Sequence, residues 1–280
     1  MSFFQSPKVC KISGNSLTYY REGKGETILF VHGITTYSFI WRNIIPFFVE
    51  KYDVIAIDLL GCGDSDIPLN EDFSLKRQAV IIEKFVAKLN IAKLHLVGHD
   101  VGGGVAQIFA VNNTDLLFDM TLVNSVAYNF WPVQPIIAMQ TPVIRQIAMS
   151  SLDMGMFELV VKRGLYHKTT LSDELMNFFW KPMKSKSGRK GFLHFAKCLN
   201  NKDLTEIEEK LQKLELPTLI IRGEKDVYLS AAISDKLYSE IPKSRLVKIT
   251  TGGHFIQEDE PEKVSKAIIE FINIKDETGI

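Results

Sequence analysis

Short apolar runs alternate with segments of helical apolar spacing along most of this chain, and that alternation leaves few folds open. Residues 27–31, 53–58, 93–97 and 118–124 have the length and composition of buried strands. Residues 37–50 and 74–89 lie between them with helical spacing, the second through Ala79, Ile82, Phe85, Val86 and Leu89, and residues 101–111 continue the pattern. Parallel strands need a crossover, so strands alternating with helices predict a parallel sheet flanked by helices. The start differs: residues 8–13 and 16–21 read as strands separated by Gly14-Asn15, a pair that tolerates the positive φ of a tight hairpin. The alternation resumes with strands at 217–222 and 245–249 and helices at 230–240 and 261–274.

Residues 125–208 interrupt it with helical periodicity and no convincing strand, broken at Pro132, Pro135, Pro142, Gly164 and Pro182. The organisation expected is one α/β domain in two parts, residues 1–124 and 209–280, with a helical cap at 125–208. The basic residues Lys181, Lys184, Lys186, Arg189 and Lys190 read as solvated cap surface. Met149, Met154, Met156, Phe157, Phe178 and Phe179 supply lid core and part of an apolar pocket.

Charge then narrows the function. The 33 basic and 33 acidic residues cancel, which removes the electrostatic case for nucleic acid or an anionic membrane and points to a small, uncharged substrate. No apolar run is long enough to span a bilayer, so a cytoplasmic protein is expected. Cys10, Cys62 and Cys198 are far apart and lack metal-ligand spacing, so neither a disulfide nor a metal is expected. Gly61-x-Gly63 lacks the last glycine of a dinucleotide fingerprint, having Asp66 there, and no cofactor is expected.

The segment Leu96-Val97-Gly98-His99-Asp100-Val101-Gly102-Gly103-Gly104 carries the chemistry. An apolar strand leads into it and a helix leaves it, so Asp100 stands on a sharp turn at the carboxyl end of a parallel sheet, where such folds place their ligands. Glycines are needed around it because side chains there would clash. A serine in this place must lose a proton before attacking, whereas a carboxylate with an ordinary pKa of about 4 is already ionised near neutrality. Of the six histidines, His254 alone sits in a glycine-flanked loop late in the chain, Thr251-Gly252-Gly253-His254-Phe255, before Glu258-Asp259-Glu260-Pro261. His32 and His99 read as hydrogen-bonding or packing residues.

With the runs Thr27-Ile28-Leu29-Phe30-Val31-His32-Gly33, Trp41-Arg42-Asn43-Ile44-Ile45-Pro46 and Asp58-Leu59-Leu60-Gly61-Cys62-Gly63-Asp64-Ser65-Asp66, the chain resembles the α/β-hydrolases, in the aspartate-nucleophile branch of epoxide hydrolases and haloalkane dehalogenases. The resemblance implies a mostly parallel eight-stranded sheet flanked by helices, with the helical cap after strand 6. It assigns Asp100 as nucleophile, His254 as base and Asp226, in Arg222-Gly223-Glu224-Lys225-Asp226, as the acid that orients the base. Some dehalogenases carry the acid one core strand earlier, near Asn124-Ser125, which is not acidic here. The backbone N–H groups of Ile34 and Val101 are the expected oxyanion donors.

An alkyl ester on Asp100, cleaved by water that His254 activates, follows from this set. The leaving group needs its own donor. Val101 and Ile34 occupy the positions where dehalogenases carry tryptophan and asparagine, and the elbow lacks the arginines of fluoroacetate-type enzymes. Tyr128, Tyr166, Trp131 and Trp180 in the cap are the candidate donors. Epoxide opening is the first expectation and dehalogenation the second; ester or other acyl hydrolysis and a non-catalytic ligand-binding protein of this fold are further alternatives.

Overall fold

The computed structural model describes residues 3–132, 134, 136–141 and 155–278. Its centre is an eight-stranded sheet of β1 (Lys8–Ile12), β2 (Asn15–Gly23), β3 (Thr27–Val31), β4 (Asp53–Ile57), β5 (Leu94–Asp100), β6 (Leu117–Ser125), β7 (Thr218–Gly223) and β8 (Ser244–Ile249), in the order β1-β2-β4-β3-β5-β6-β7-β8. Only the pairings of β2, with β1 and with β4, are antiparallel. The hairpin turn falls at Ser13 and Gly14, both at positive φ. Strands β3, β4, β5 and β7 are buried at every position, as expected of parallel strands covered on both faces.

Helices α1 (Leu75–Lys88) and α2 (Val101–Asn112) follow the spacing that predicts them. Ser74 caps α1 by accepting from the Arg77 N–H, satisfying one of the donors that a helix start leaves unpaired. Residues 37–50 do not form the helix their spacing predicts; they make 3-10 turns at Ser38–Trp41 and Ile45–Phe47. Two local causes oppose a helix there. One is Pro46, which has no N–H to donate and whose ring crowds the carbonyl four residues back; the other is the preceding turn, where the Arg42 N–H already bonds to the Phe39 carbonyl at 2.9 Å, three residues back.

After β6 the described residues hold helices and turns but no strand until β7: α3 (Ile136–Gln140), α4 (Phe157–Gly164), α5 (Asp173–Met183), α6 (Lys186–Cys198), α7 (Lys202–Thr205) and α8 (Glu208–Leu211). Gly164 ends α4 as expected. Pro182 instead lies in the last turn of α5, where its missing N–H costs a single bond at a helix about to end. Pro135, Pro142, Met149 and Met154 lie outside the described residues. The chain closes with α9 (Ala231–Glu240), α10 (Ile256–Asp259) and α11 (Pro261–Thr278), the last beginning on a proline whose lacking N–H a helix start does not need. No helix among the described residues is long and apolar enough to cross a membrane.

Candidate active site

Strand β5 ends in the turn that presents Asp100. Its backbone, at φ 53° and ψ −122°, lies outside the regions open to most side-chain-bearing residues, and such strain persists only where packing imposes it. The glycines explain how. A Cβ on Gly98 would stand 2.5 Å from the Gly102 carbonyl oxygen, and one on Gly33 would stand 2.7 Å from Asp100 Oδ2. Backbone from β3 therefore approaches the carboxylate closely enough to donate: the Ile34 N–H gives a hydrogen bond to Asp100 Oδ2 at 3.1 Å, and the Val101 N–H also supports the carboxylate. The two donors expected at an oxyanion site hold the protein's own carboxyl group.

His32 sets the position of that donor loop. It is fully buried, and burial pushes its pKa down to about 4, so the ring is neutral; Nδ1 donates to the Gly33 carbonyl at 2.7 Å and Nε2 accepts from the Leu59 N–H at 3.0 Å.

The loops after β7 and β8 bring the other two residues together. His254 Nδ1 lies 3.0 Å from Asp226 Oδ2. Asp226 Oδ1 accepts from the N–H groups of Tyr228 at 2.8 Å and Leu229 at 3.1 Å, while Arg222 Nη1 approaches Oδ2 at 3.4 Å. Burial would raise the Asp226 pKa, but the charge and hydrogen bond of His254, the Arg222 guanidinium and the Tyr228 N–H outweigh it and hold the carboxyl below its ordinary range. His254 moves the other way. Burial disfavours its cation, yet Asp226 and then Asp100 raise its pKa above the ordinary value against a smaller opposing effect of Arg222. At Asp100 burial dominates and leaves the pKa raised, despite the lowering by His254 and the two N–H donors.

Two further residues steady this arrangement, Asn124, to which the sequence assigns no role, and His99, which it reads as hydrogen-bonding or packing. Asn124, at the place where an alternative acid is absent, accepts from the Gly223 N–H at 2.8 Å and donates to the carbonyls of Gly253 at 2.8 Å and His254 at 3.0 Å. Its amide joins the loop of Asp226 to the loop of His254, which a carboxylate with no donor could not do. His99, neutral through burial, lies with Nε2 3.0 Å from the same His254 carbonyl.

A cavity of about 50 Å³ opens over Asp100 and His254. Ile34, Ile136, Val160, Leu229 and Phe255 give it apolar walls, and Thr35, Gln134 and Tyr228 are its other polar residues. None of the four candidate cap donors lines it. Tyr128 is buried on another side, under the Lys236 ammonium 3.8 Å from its ring centre and in the field of Glu240. Tyr166 is exposed, with its ring edge-on to His167. Trp131 is buried with no partner for Nε1 among the described residues, and Trp180 packs edge-on against Phe157. Lys236 engages the ring of Tyr128, His167 that of Tyr166 and Phe157 that of Trp180, contacts that periodicity does not reveal. Tyr228 follows the acid by two residues, the one signal in the sequence that could have marked it.

A strained turn after the fifth strand of this sheet, facing a histidine and an acid delivered by the last two strands, decides the architecture. The chain has the α/β-hydrolase fold. A family model of that fold matches residues 26–150. Haloalkane dehalogenase 2 of Mycobacterium tuberculosis is 29% identical over 272 residues, covering 92% of each chain. Epoxide hydrolase 2 of Caenorhabditis elegans is 27% identical over 285 residues, covering 95% of this chain and 79% of that one. Among solved structures, a loop variant of the haloalkane dehalogenase DbeA from Bradyrhizobium elkanii superposes with a TM-score of 0.85 at 23% identity, covering 98% of both chains. In the α/β-hydrolase frame the helices between β6 and β7 border the cavity, through Ile136 of α3 and Val160 of α4.

Proposed function

We propose that this protein is a hydrolase that opens a small, largely apolar epoxide through an alkyl ester on Asp100, with α3 to α8 acting as the cap over the site. The observation that carries this reading is the Asp100 carboxylate in the N–H pair of Ile34 and Val101. In a serine enzyme those donors wait for a substrate carbonyl; here both act on the Asp100 carboxylate, Ile34 on Oδ2. Asp100 Oδ1 attacks a ring carbon, the carbon–oxygen bond breaks, and the leaving oxygen takes a proton from a hydroxyl at the cavity, that of Tyr228 or Thr35. The ester carbonyl then remains on Oδ2. His254 removes a proton from water, the hydroxide adds to the ester carbon, and the developing oxyanion forms where the donors already point. Collapse releases the diol and returns Asp100 as a carboxylate, and the imidazolium, stabilised meanwhile by Asp226, gives its proton back to the hydroxyl that protonated the leaving oxygen.

The epoxide reading is favoured over halide release by the donors at hand. A departing halide is held by indole or amide N–H groups, and neither Ile34 nor Val101 has a side-chain donor. Among the described residues no indole-bearing residue lines the cavity, whereas the hydroxyl-bearing Thr35 and Tyr228 do. Dehalogenation is the second reading, favoured by the relative named for it. Replacing His254 by Gln should leave the first step intact and block the second. Intact-mass spectrometry of His254→Gln exposed to terminal epoxides should show a stable adduct on Asp100; an unchanged mass with compounds that the wild type turns over would sink the mechanism, and adducts from 1-haloalkanes alone would replace the epoxide reading with the halide one.

A further inference from the structure

The base loop is held by a buried carboxylate that the mechanism above does not use. Asp259, at the end of α10, accepts through Oδ2 from the N–H groups of Gly253 at 2.8 Å and Tyr166 at 2.9 Å, and through Oδ1 from those of Tyr166 at 3.0 Å and His167 at 2.9 Å. Gly253 directly precedes His254, while Tyr166 and His167 follow the end of α4. One carboxylate therefore bridges the loop that carries the base and the chain leaving a helix over the cavity. Two parallel ties join the same parts: the His254 N–H donates to the Gly164 carbonyl at 2.7 Å, and the Tyr228 hydroxyl donates to the Val160 carbonyl at 2.7 Å. The Gly164 carbonyl ends α4, where helix geometry leaves acceptors unpaired and the negative end of the helix dipole faces outward, and Val160 lies one turn before it. The backbones touch as well, since a Cβ on Gly253 would stand 2.4 Å from the Gly164 oxygen.

We propose that Asp259 is a positioning residue that fastens α4 to the loop of His254, so that the cap and Asp226 together set the place of the base. This rests on the reading of His254 as the base of the second step. Asp259 does not line the cavity, and its action runs through the backbone on either side. A carboxylate suits the place because three N–H groups converge on it and an acid offers only acceptors. Asp259→Asn keeps size and shape but turns one acceptor into a donor that faces N–H groups.

In Asp259→Asn, rapid-quench mass spectrometry with the same epoxides should find adduct formation within about twofold of wild type and ester hydrolysis slowed about 10- to 100-fold, the range a small misplacement of a catalytic group produces. Amide hydrogen exchange should quicken at Tyr166, His167, Gly253 and His254 while the amides of β5 and β6 stay protected. Equal slowing of both steps, or hydrolysis at the wild-type rate, would overturn the proposal. Exchange separates this from failure of the catalytic reading: if no probe forms an adduct with the wild type or His254→Gln, unchanged protection at those four amides still overturns the clamp, and selective loss of protection supports it. Tyr228→Phe removes the second tie without touching Asp259; because Tyr228 also lines the cavity, only exchange is read there, and it should quicken at Gly253, His254 and Tyr166 to a smaller extent, which keeps the test open if Asp259→Asn does not fold, unchanged exchange counting against the clamp.

Discussion

Each end of the strands carries a buried histidine–aspartate pair. At the amino-terminal end, His95 Nδ1 lies 2.7 Å from Asp119 Oδ2; at the carboxyl end, His254 Nδ1 lies 3.0 Å from Asp226 Oδ2. What differs is the other side of each ring. His95 turns Nε2 to a second carboxylate, Glu26, at 3.3 Å, and its ring lies between Tyr52 and the stacked Phe118. His254 shares a cavity with Asp100, on a strained turn beside two backbone donors. A buried pair of this kind is therefore insufficient as a sign of catalysis: the first can hold strands and loop together, while the second faces the Asp100 carboxylate across a cavity.

The comparison can be broken by removing each carboxylate in turn. The largest loss is expected for Asp100→Asn, which keeps the shape of the turn but removes the nucleophile; turnover should fall by about 10⁴-fold or more, with no adduct by mass spectrometry. Asp226→Asn should come next, with a fall of up to about 10⁴-fold in kcat, and its pH profile sharpens the point. Because Asp226 raises the His254 pKa, ester hydrolysis in the wild type should decline as pH falls through a value above about 6.5, the ordinary histidine pKa, since only neutral His254 can take the proton. Without the Asp226 charge that decline should move to lower pH, measured as the pre-steady-state rate of adduct decay. An unmoved profile would mean that another group titrates. Asp119→Asn should have the smallest effect on the reaction: unchanged turnover, with a loss of about 1–3 kcal/mol in denaturant unfolding from the disrupted buried hydrogen bond. A large fall in turnover there would erase the distinction between the two ends.

How much of this was legible depends on how local the cause is. The elbow could be read because its requirement is met within a few residues, Gly98 to Gly104 around Asp100. The strands and α1 could be read because burial on two faces or one leaves a periodic trace. Residues 37–50 misled because Pro46 breaks a helix whose apolar spacing is otherwise in order. The cap tyrosines and tryptophans misled in another way: chemistry suits them for donation, but their neighbours turn them elsewhere.

The sequence alone determined the alternating strands and helices, the interruption after β6 and the turn that fixes Asp100, since each is set by backbone sterics and burial acting over a few residues. Tertiary structure alone decided which groups meet that carboxylate. The Ile34 N–H reaches it from 66 residues away, the Tyr228 hydroxyl reaches Val160 across 68, and Asp259 reaches Tyr166 across 93. Those contacts exist only once the sheet has brought its loops to one end, because a hydrogen bond is specified by the position of its partner in space and leaves no periodic mark along the chain.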